Sequence, residues 1–265
     1  MKSTVLTKLA FICLLIYAPI QTMAWGMTGH RIVGEIASCY VNKHAQKEIS
    51  LILGSESLAM SSNWADFIKS EPAFNYLGTW HYANFKDQLN YQTLKDQMEQ
   101  DTTLNIYNRI KFISSELKNK NLDKSKKQLY LRLLVHFVGD IHQPMHMGKK
   151  EDSGGNGIKV FWFNQPSNLH RVWDEQLIEY QQLSYTEYTK VINHATSQQV
   201  KNWQKDDLAI WAHESYVASR KLYSEINPEE KLSYKYNYVN VELLNERLLK
   251  GGVRLGGLLN QIFSN

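Results

Sequence analysis

The chain has 265 residues, 43% of them hydrophobic and 21% charged, with a formal net charge of +4 at pH 7. That length is ample for one large domain, and so small a charge excludes a protein that grips nucleic acid through a broadly basic surface. With only two cysteines, a small disulfide-stapled scaffold is excluded as well.

Residues 1–24 read as an export signal. Lys2 and Lys8 give a positive start, Leu9 to Ile20 is apolar, and Thr22-Met23-Ala24 ends in a small residue suited to cleavage. The apolar stretch is too short to cross a bilayer comfortably, and no later segment approaches the roughly 20 apolar residues a spanning helix needs. The mature chain is therefore expected to be secreted or periplasmic, without stable membrane association, as a monomer with one domain over residues 25–265. Loss of Lys2 and Lys8 lowers its formal charge from +4 to +2. Cys13 leaves with the signal. Cys39, beside Ile36, Ala37 and Tyr40 in a helical pattern, reads as a buried, inert thiol.

Helical periodicity dominates the rest. Ile32, Ile36, Cys39 and Tyr40 recur at three and four residues, as do Leu104, Ile106, Ile110 and Ile113 with small deviations. Lys118 to Lys127, rich in Lys and Asn, reads as a solvated loop between two helices. Leu129 to Val138 is a nearly continuous apolar run that contains His136 and leads to Asp140, as suits a buried helix with polar groups on one face. Gly148 to Gly157 is too glycine-rich for a helix, and Ile158 to Trp162 follows as a short strand. Tyr185 to Trp211 and Val239 to Phe263 supply further amphipathic segments, the last through Leu244, Leu248, Leu255, Leu258 and Ile262. The class is all-α, a single domain of many packed helices with a short strand or β-hairpin beside the cleft where the histidines gather.

Several of the nine histidines stand at spacings that carry chemistry. His136 and Asp140, four apart, project from one helix face. His142-Gln143-Pro144-Met145-His146 follows, where Pro144 ends the helix and lets His146 turn back. A second His-x-x-x-Asp pair is His170 and Asp174 in HRVWD, while Asp66 in WAD and His81 in TWHYAN each neighbour a tryptophan. One such pair is ordinarily a core histidine bonded to its neighbour. Two pairs together with the rest point to a metal, and imidazole with carboxylate suits zinc where cysteine is absent. The mature chain would start Trp25-Gly26-Met27-Thr28-Gly29-His30, and a free α-amino group with its own carbonyl oxygen can chelate a metal. His44, His194 and His213 match no motif and read as surface or core residues, and Lys149 and Lys150 as solvated.

The start WGxxGH, then WAD, WHY, HFVGDIHQPMH, the GGN loop and HRVWD run in one order from Trp25 to Asp174, and GGVRLGGLLN closes the chain. This combination resembles the S1/P1 nuclease family of zinc-dependent enzymes. The resemblance implies three Zn²⁺ per chain. Asp66, His81, His136 and Asp140 would hold the first, His146, His170 and Asp174 the second, and the Trp25 amine and carbonyl, His30 and Asp140 the third. Six positive charges against three carboxylates would leave a surplus that favours a phosphodiester. The implied activity is an endonuclease on single-stranded DNA and RNA that leaves 5′-phosphate ends, with nucleotides as further substrates through 3′-nucleotidase action. Asp66 would orient the attacking water, Tyr82 would stack a base, and Asn156 would lie near the scissile phosphate. Asn84 occupies a base-contacting position where fungal members often carry Asp. One rival is a zinc-dependent phospholipase C, which shares fold, N-terminal Trp and most ligands but usually has Glu in place of Asp174. The other is a non-catalytic zinc-binding protein, against which stands the absence of His-rich tracts.

Overall fold

The computed structural model describes residues 25–86 and 88–264, so the export signal assigned to residues 1–24 lies outside the described residues. Six helices exceed ten residues among them: α1 Met27–Tyr40, α2 Lys43–Leu53, α3 Ile106–Leu117, α4 Lys124–His142, α5 Leu208–Ser224 and α6 Tyr234–Ile262. Shorter helices and turns connect them, and no described helix is long and apolar enough to cross a membrane. The expected all-α class is the one observed.

Two helices position the site. Asp123 starts α4 by accepting the Lys126 amide hydrogen, which satisfies one of the free donors of the first turn. Its far half, Leu133 to His142, is wholly buried. Pro144 pushes Gln143 into an extended conformation (φ −80°, ψ 120°), ending the helix and starting the tight turn Pro144–Met147. Helix α1 buries Ile32, Val33, Ile36 and Ala37 against α6. The two helices approach so closely that a Cβ on Gly252 would lie 2.4 Å from the Ile36 Cβ and one on Gly256 2.7 Å from the Tyr40 Cβ, which explains two of the glycines of GGVRLGGLLN.

The expected strand forms as β1 Lys159–Trp162, paired antiparallel with β2 Gln165–Asn168 through a two-residue turn in which Phe163 and Asn164 both have positive φ. A third strand, β3 Glu230–Leu232, joins β1 in parallel and has no counterpart in the sequence reading. Its three residues are too few to show alternation.

Four expectations shift. Cys39 is exposed, not buried: it sits with exposed Ser38 in the last turn of α1, beyond the elements that cover Ile32 and Ile36. Periodicity gives a residue's direction but not how far its neighbours reach. Leu104 precedes α3 and is 46% exposed. The loop expected to reach Lys127 already becomes helical at Lys124, and Tyr185 to Trp211 divides into Tyr185–Ile192, Ser197–Trp203 and the start of α5.

Candidate metal centre

The buried end of α4 is where the ligand candidates meet. His136 Nε2 and His81 Nδ1 lie 3.1 Å and 3.0 Å from Asp140 Oδ2, and 3.0 Å from one another. The other Asp140 oxygen lies 3.4 Å from His30 Nε2 and 3.6 Å from His146 Nδ1. His81 reaches this point because its segment pairs with the turn after α4: the Ala83 amide donates to the His146 carbonyl (2.9 Å) and the Phe85 amide to that of Gly148 (3.0 Å). His170 and Asp174 follow β2 through a wide, π-type turn, with His170 Nε2 2.9 Å from Asp174 Oδ2 and His146 Nε2 3.7 Å from Asp174 Oδ1. Three groups could thus hold a metal ion: His30 with Asp66 and His136, His81 with His136 and Asp140, and His146 with His170 and Asp174. The second and third fall within sets drawn from the sequence. The first places His30 with Asp66 and His136, whereas the resemblance pairs it with Trp25 and Asp140; both groupings share one space.

Trp25 is buried, with its indole N–H donating to the Gly139 carbonyl (2.8 Å) while the next amide, that of Gly26, donates to the Asp174 carbonyl (2.7 Å). These bonds set its side chain against residue 139 and the amide that follows it against residue 174. Gly139 itself must lack a side chain, since a Cβ there would meet His30 Nδ1 at 2.9 Å.

The residues fit metal ions on two observations. His30 Nδ1, His81 Nε2, His146 Nε2 and Asp66 Oδ2 are buried without a hydrogen-bond partner, and such groups inside a protein require one. Second, three imidazoles are steered by carbonyls: Nδ1 of His136 donates to Ser62 (2.6 Å), of His146 to His81 (2.7 Å) and of His170 to Gly154 (2.6 Å). A carbonyl only accepts, so the proton is on Nδ1 and the Nε2 lone pair faces the centre. Gly154 and Gly155, both at positive φ, shape the loop that presents that carbonyl.

Electrostatics point the same way. Burial alone would raise the Asp140 carboxyl, but His136 and His146 hold it well below the usual range. Burial would likewise raise Asp66, and the charges of His136 and Lys69 outweigh it. Burial lowers His146, yet Asp140 and Asp174 push it up to about 9, while burial takes His81 down to about 4. The buried carboxylates are thus held ionised at this core.

His81, His146 and His170 reach a cleft of about 840 Å³ whose wall includes Tyr82, Asn84, Asn156, Lys69, Leu104 and Lys150. Tyr82 is 41% exposed, so it is no core aromatic. Asn156 donates through Nδ2 to the Ser153 carbonyl (2.8 Å), and Asn84 Oδ1 has no partner.

Three contributors escaped the sequence reading. Buried Gln143 donates to Asp174 and accepts the Met145 amide (2.5 Å), tying two metal groups through the turn after α4. Lys69 Nζ sits 2.5 Å from Asp66 Oδ1, an i,i+3 spacing that was legible. Leu104 is the exposed residue that broke the α3 pattern. Conversely His142, half of the HxxxH, points elsewhere: it donates to the Val138 carbonyl (2.8 Å) and accepts from buried Arg254 (3.1 Å). His44 and His194 are exposed and His213 is half-buried, all outside these groups.

Residues 25–264 match the S1/P1 Nuclease family. The chain is 31% identical to Endonuclease 3 of Arabidopsis thaliana over 91% of this chain and 90% of that protein. It is 28% identical to Nuclease S1 of Aspergillus oryzae over 92% and 93%, and 30% identical to Nuclease P1 of Penicillium citrinum over 57% of each chain.

Proposed function

The chain belongs to the S1/P1 nuclease family, and from that membership we propose that residues 25–265, released from an export signal, are a secreted or periplasmic zinc-dependent endonuclease. Its substrates are single-stranded DNA and RNA, cleaved to 5′-phosphate ends, with 3′-nucleotidase action on nucleotides. The observation that carries this reading is the set of unpartnered imidazole nitrogens and carboxylate oxygens at the floor of a cleft with an exposed tyrosine on its wall.

Asp66, His81, His136 and Asp140 would hold one Zn²⁺, His146, His170 and Asp174 a second, and Trp25, His30 and Asp140 a third. When bound, such ions supply positive charge to a phosphodiester and make water more acidic. Asp66 keeps Oδ2 free of hydrogen bonds while Lys69 engages Oδ1, so the carboxylate accepts a hydrogen bond from the attacking water and orients it. Held below its usual pKa, it is a weak proton acceptor, which favours orientation over proton removal. Asn156 has a second amide hydrogen beyond the one given to Ser153, which would be available to a phosphate oxygen bound in the same cleft. Tyr82 offers a ring to a base that has left its stack, with Asn84 beside it for the base edge.

The test is to assay the metal-loaded protein on denatured DNA, duplex DNA, RNA and phosphatidylcholine, and to identify product ends. Turnover of phosphatidylcholine without turnover of denatured DNA would make the phospholipase reading correct, and metal binding without any turnover the sequestering one. Base stacking on an aromatic contributes about 1–3 kcal/mol, so Tyr82→Ala is expected to raise KM on oligonucleotides about 5- to 150-fold with metal content unchanged. Unaltered kinetics would leave Tyr82 an inert surface aromatic.

A further inference from the structure

Helix α4 carries the metal groups near one end and a dense cluster of cations at the other. Lys118, Lys120, Lys124, Lys126 and Lys127 face only Asp123 within their ten residues, a local charge of +4 where residues 25–265 together carry +2. Asp123 is already committed to capping α4, and its 3.9 Å contact with Lys126 is the only ion pair these lysines make among the described residues. Lys118, Lys120, Lys124 and Lys127 line a cleft of about 440 Å³ in which Glu48 is the only carboxylate among the described residues. The lining also includes Leu122, Phe263 and Leu51, the last 58% exposed.

Like charges gathered this closely repel, and a bound polyanion relieves the repulsion. Cations set beside the exposed apolar side chain of Leu51 match a strand that offers a row of phosphates with apolar base faces between them. We propose that this lysine cleft is a second docking site, for the flanking part of a long single-stranded nucleic acid, separate from the cleft over the metal groups. The proposal rests on the nuclease reading. Lys127 and Asp140 are thirteen residues apart on α4, about 20 Å along the axis, and Lys127 and His136 lie roughly half a turn apart around it. The buried far half of α4 lies between the two sites, so a strand must run further than this axial distance, over several nucleotides, to meet both. A dinucleoside monophosphate therefore cannot bridge the two clefts.

The experiment compares the metal-loaded wild type with the triple variant Lys118→Gln, Lys120→Gln, Lys124→Gln, all three exposed residues outside the catalytic cleft. Each lysine on a single strand contributes about 0.7 to the slope of log affinity against log salt. On denatured DNA several hundred nucleotides long, the variant should show a slope smaller by about 2 in log KM, with kcat retained. On a dinucleoside monophosphate its kcat/KM should equal that of the wild type, which also reports an intact fold. Equal slopes and equal KM on long strands overturn the proposal. So does a variant that keeps its affinity for long strands while losing affinity for phosphatidylserine vesicles, which would assign the cleft to a lipid surface. A wild type that hydrolyses neither substrate removes the nuclease reading, and the lysine cleft proposal with it.

Discussion

Asp140→Asn is expected to cost the protein more than one metal ion per chain and to lower turnover on denatured DNA by more than about 100-fold, since loss of even an outer partner of a ligand costs 10- to 100-fold. Asp140 stands at the junction of the centre. One of its oxygens lies about 3 Å from both His81 and His136, and the other faces His30 and His146. The carboxylate is fully buried and held ionised by those imidazoles against the penalty of burial. An amide of the same shape keeps the packing but removes the charge, and its NH₂ half directs hydrogens where ligands must direct lone pairs. Asp174 is the natural control, because it meets only His146 and His170 among the histidines, so Asp174→Asn should empty one group and spare the rest. Chelation of the wild type should lower both activity and melting temperature, as buried carboxylates and imidazoles lose what compensates them. The decisive measurement is elemental analysis of purified Asp140→Asn. Three metals per chain in that variant would overturn the ligand assignment.

What the sequence could disclose depended on whether a residue's role follows from its own element. His136 and Asp140 share a face because four residues make about one helical turn, and that relation is independent of the rest of the fold. The all-α class is legible for the same reason. His142 and His146 show the limit: their spacing looks like a ligand pair, yet His142 goes to Arg254 from α6, more than a hundred residues away. Its place two residues after Asp140, inside the helix and before Pro144, turns it to the opposite side of α4, and what it meets there is set by α6. Gln143 is opaque in the same way, since it matters through Asp174 in a different segment. Cys39 was misread because its burial depends on how far neighbouring elements extend, and the exposure of Tyr82 on the cleft wall is likewise set by tertiary packing. Lys69, by contrast, lies three residues after Asp66 and was within reach of helix geometry.

A chain with one extra residue before Trp25 is expected to bind about one metal ion fewer and to lose most of its activity, while the rest of the fold persists. Trp25 is held by its indole bond to Gly139, the residue before Asp140, and by the bond of the next amide to the carbonyl of Asp174. If its α-amino nitrogen is a ligand, it must be free and unprotonated. An extra residue turns that amine into an amide, whose lone pair is delocalised into the carbonyl and ligates poorly. An α-amino group has an ordinary pKa of about 7.7–8.0, so a proton competes with the metal near neutrality. Occupancy of this position should therefore fall as pH drops below that range, and the extended chain, having no amine there to titrate, should not show that component. Removal of residues 1–24 would then complete the centre only after export, which keeps an active nuclease out of the cytoplasm. The comparison is between the exported protein and a form bearing one N-terminal methionine, measured by metal per chain and by hydrolysis of denatured DNA across pH 6 to 9. Equal metal content, equal rates and the same pH profile would exclude the N-terminus from the catalytic centre and leave Trp25 a buried anchor for α1.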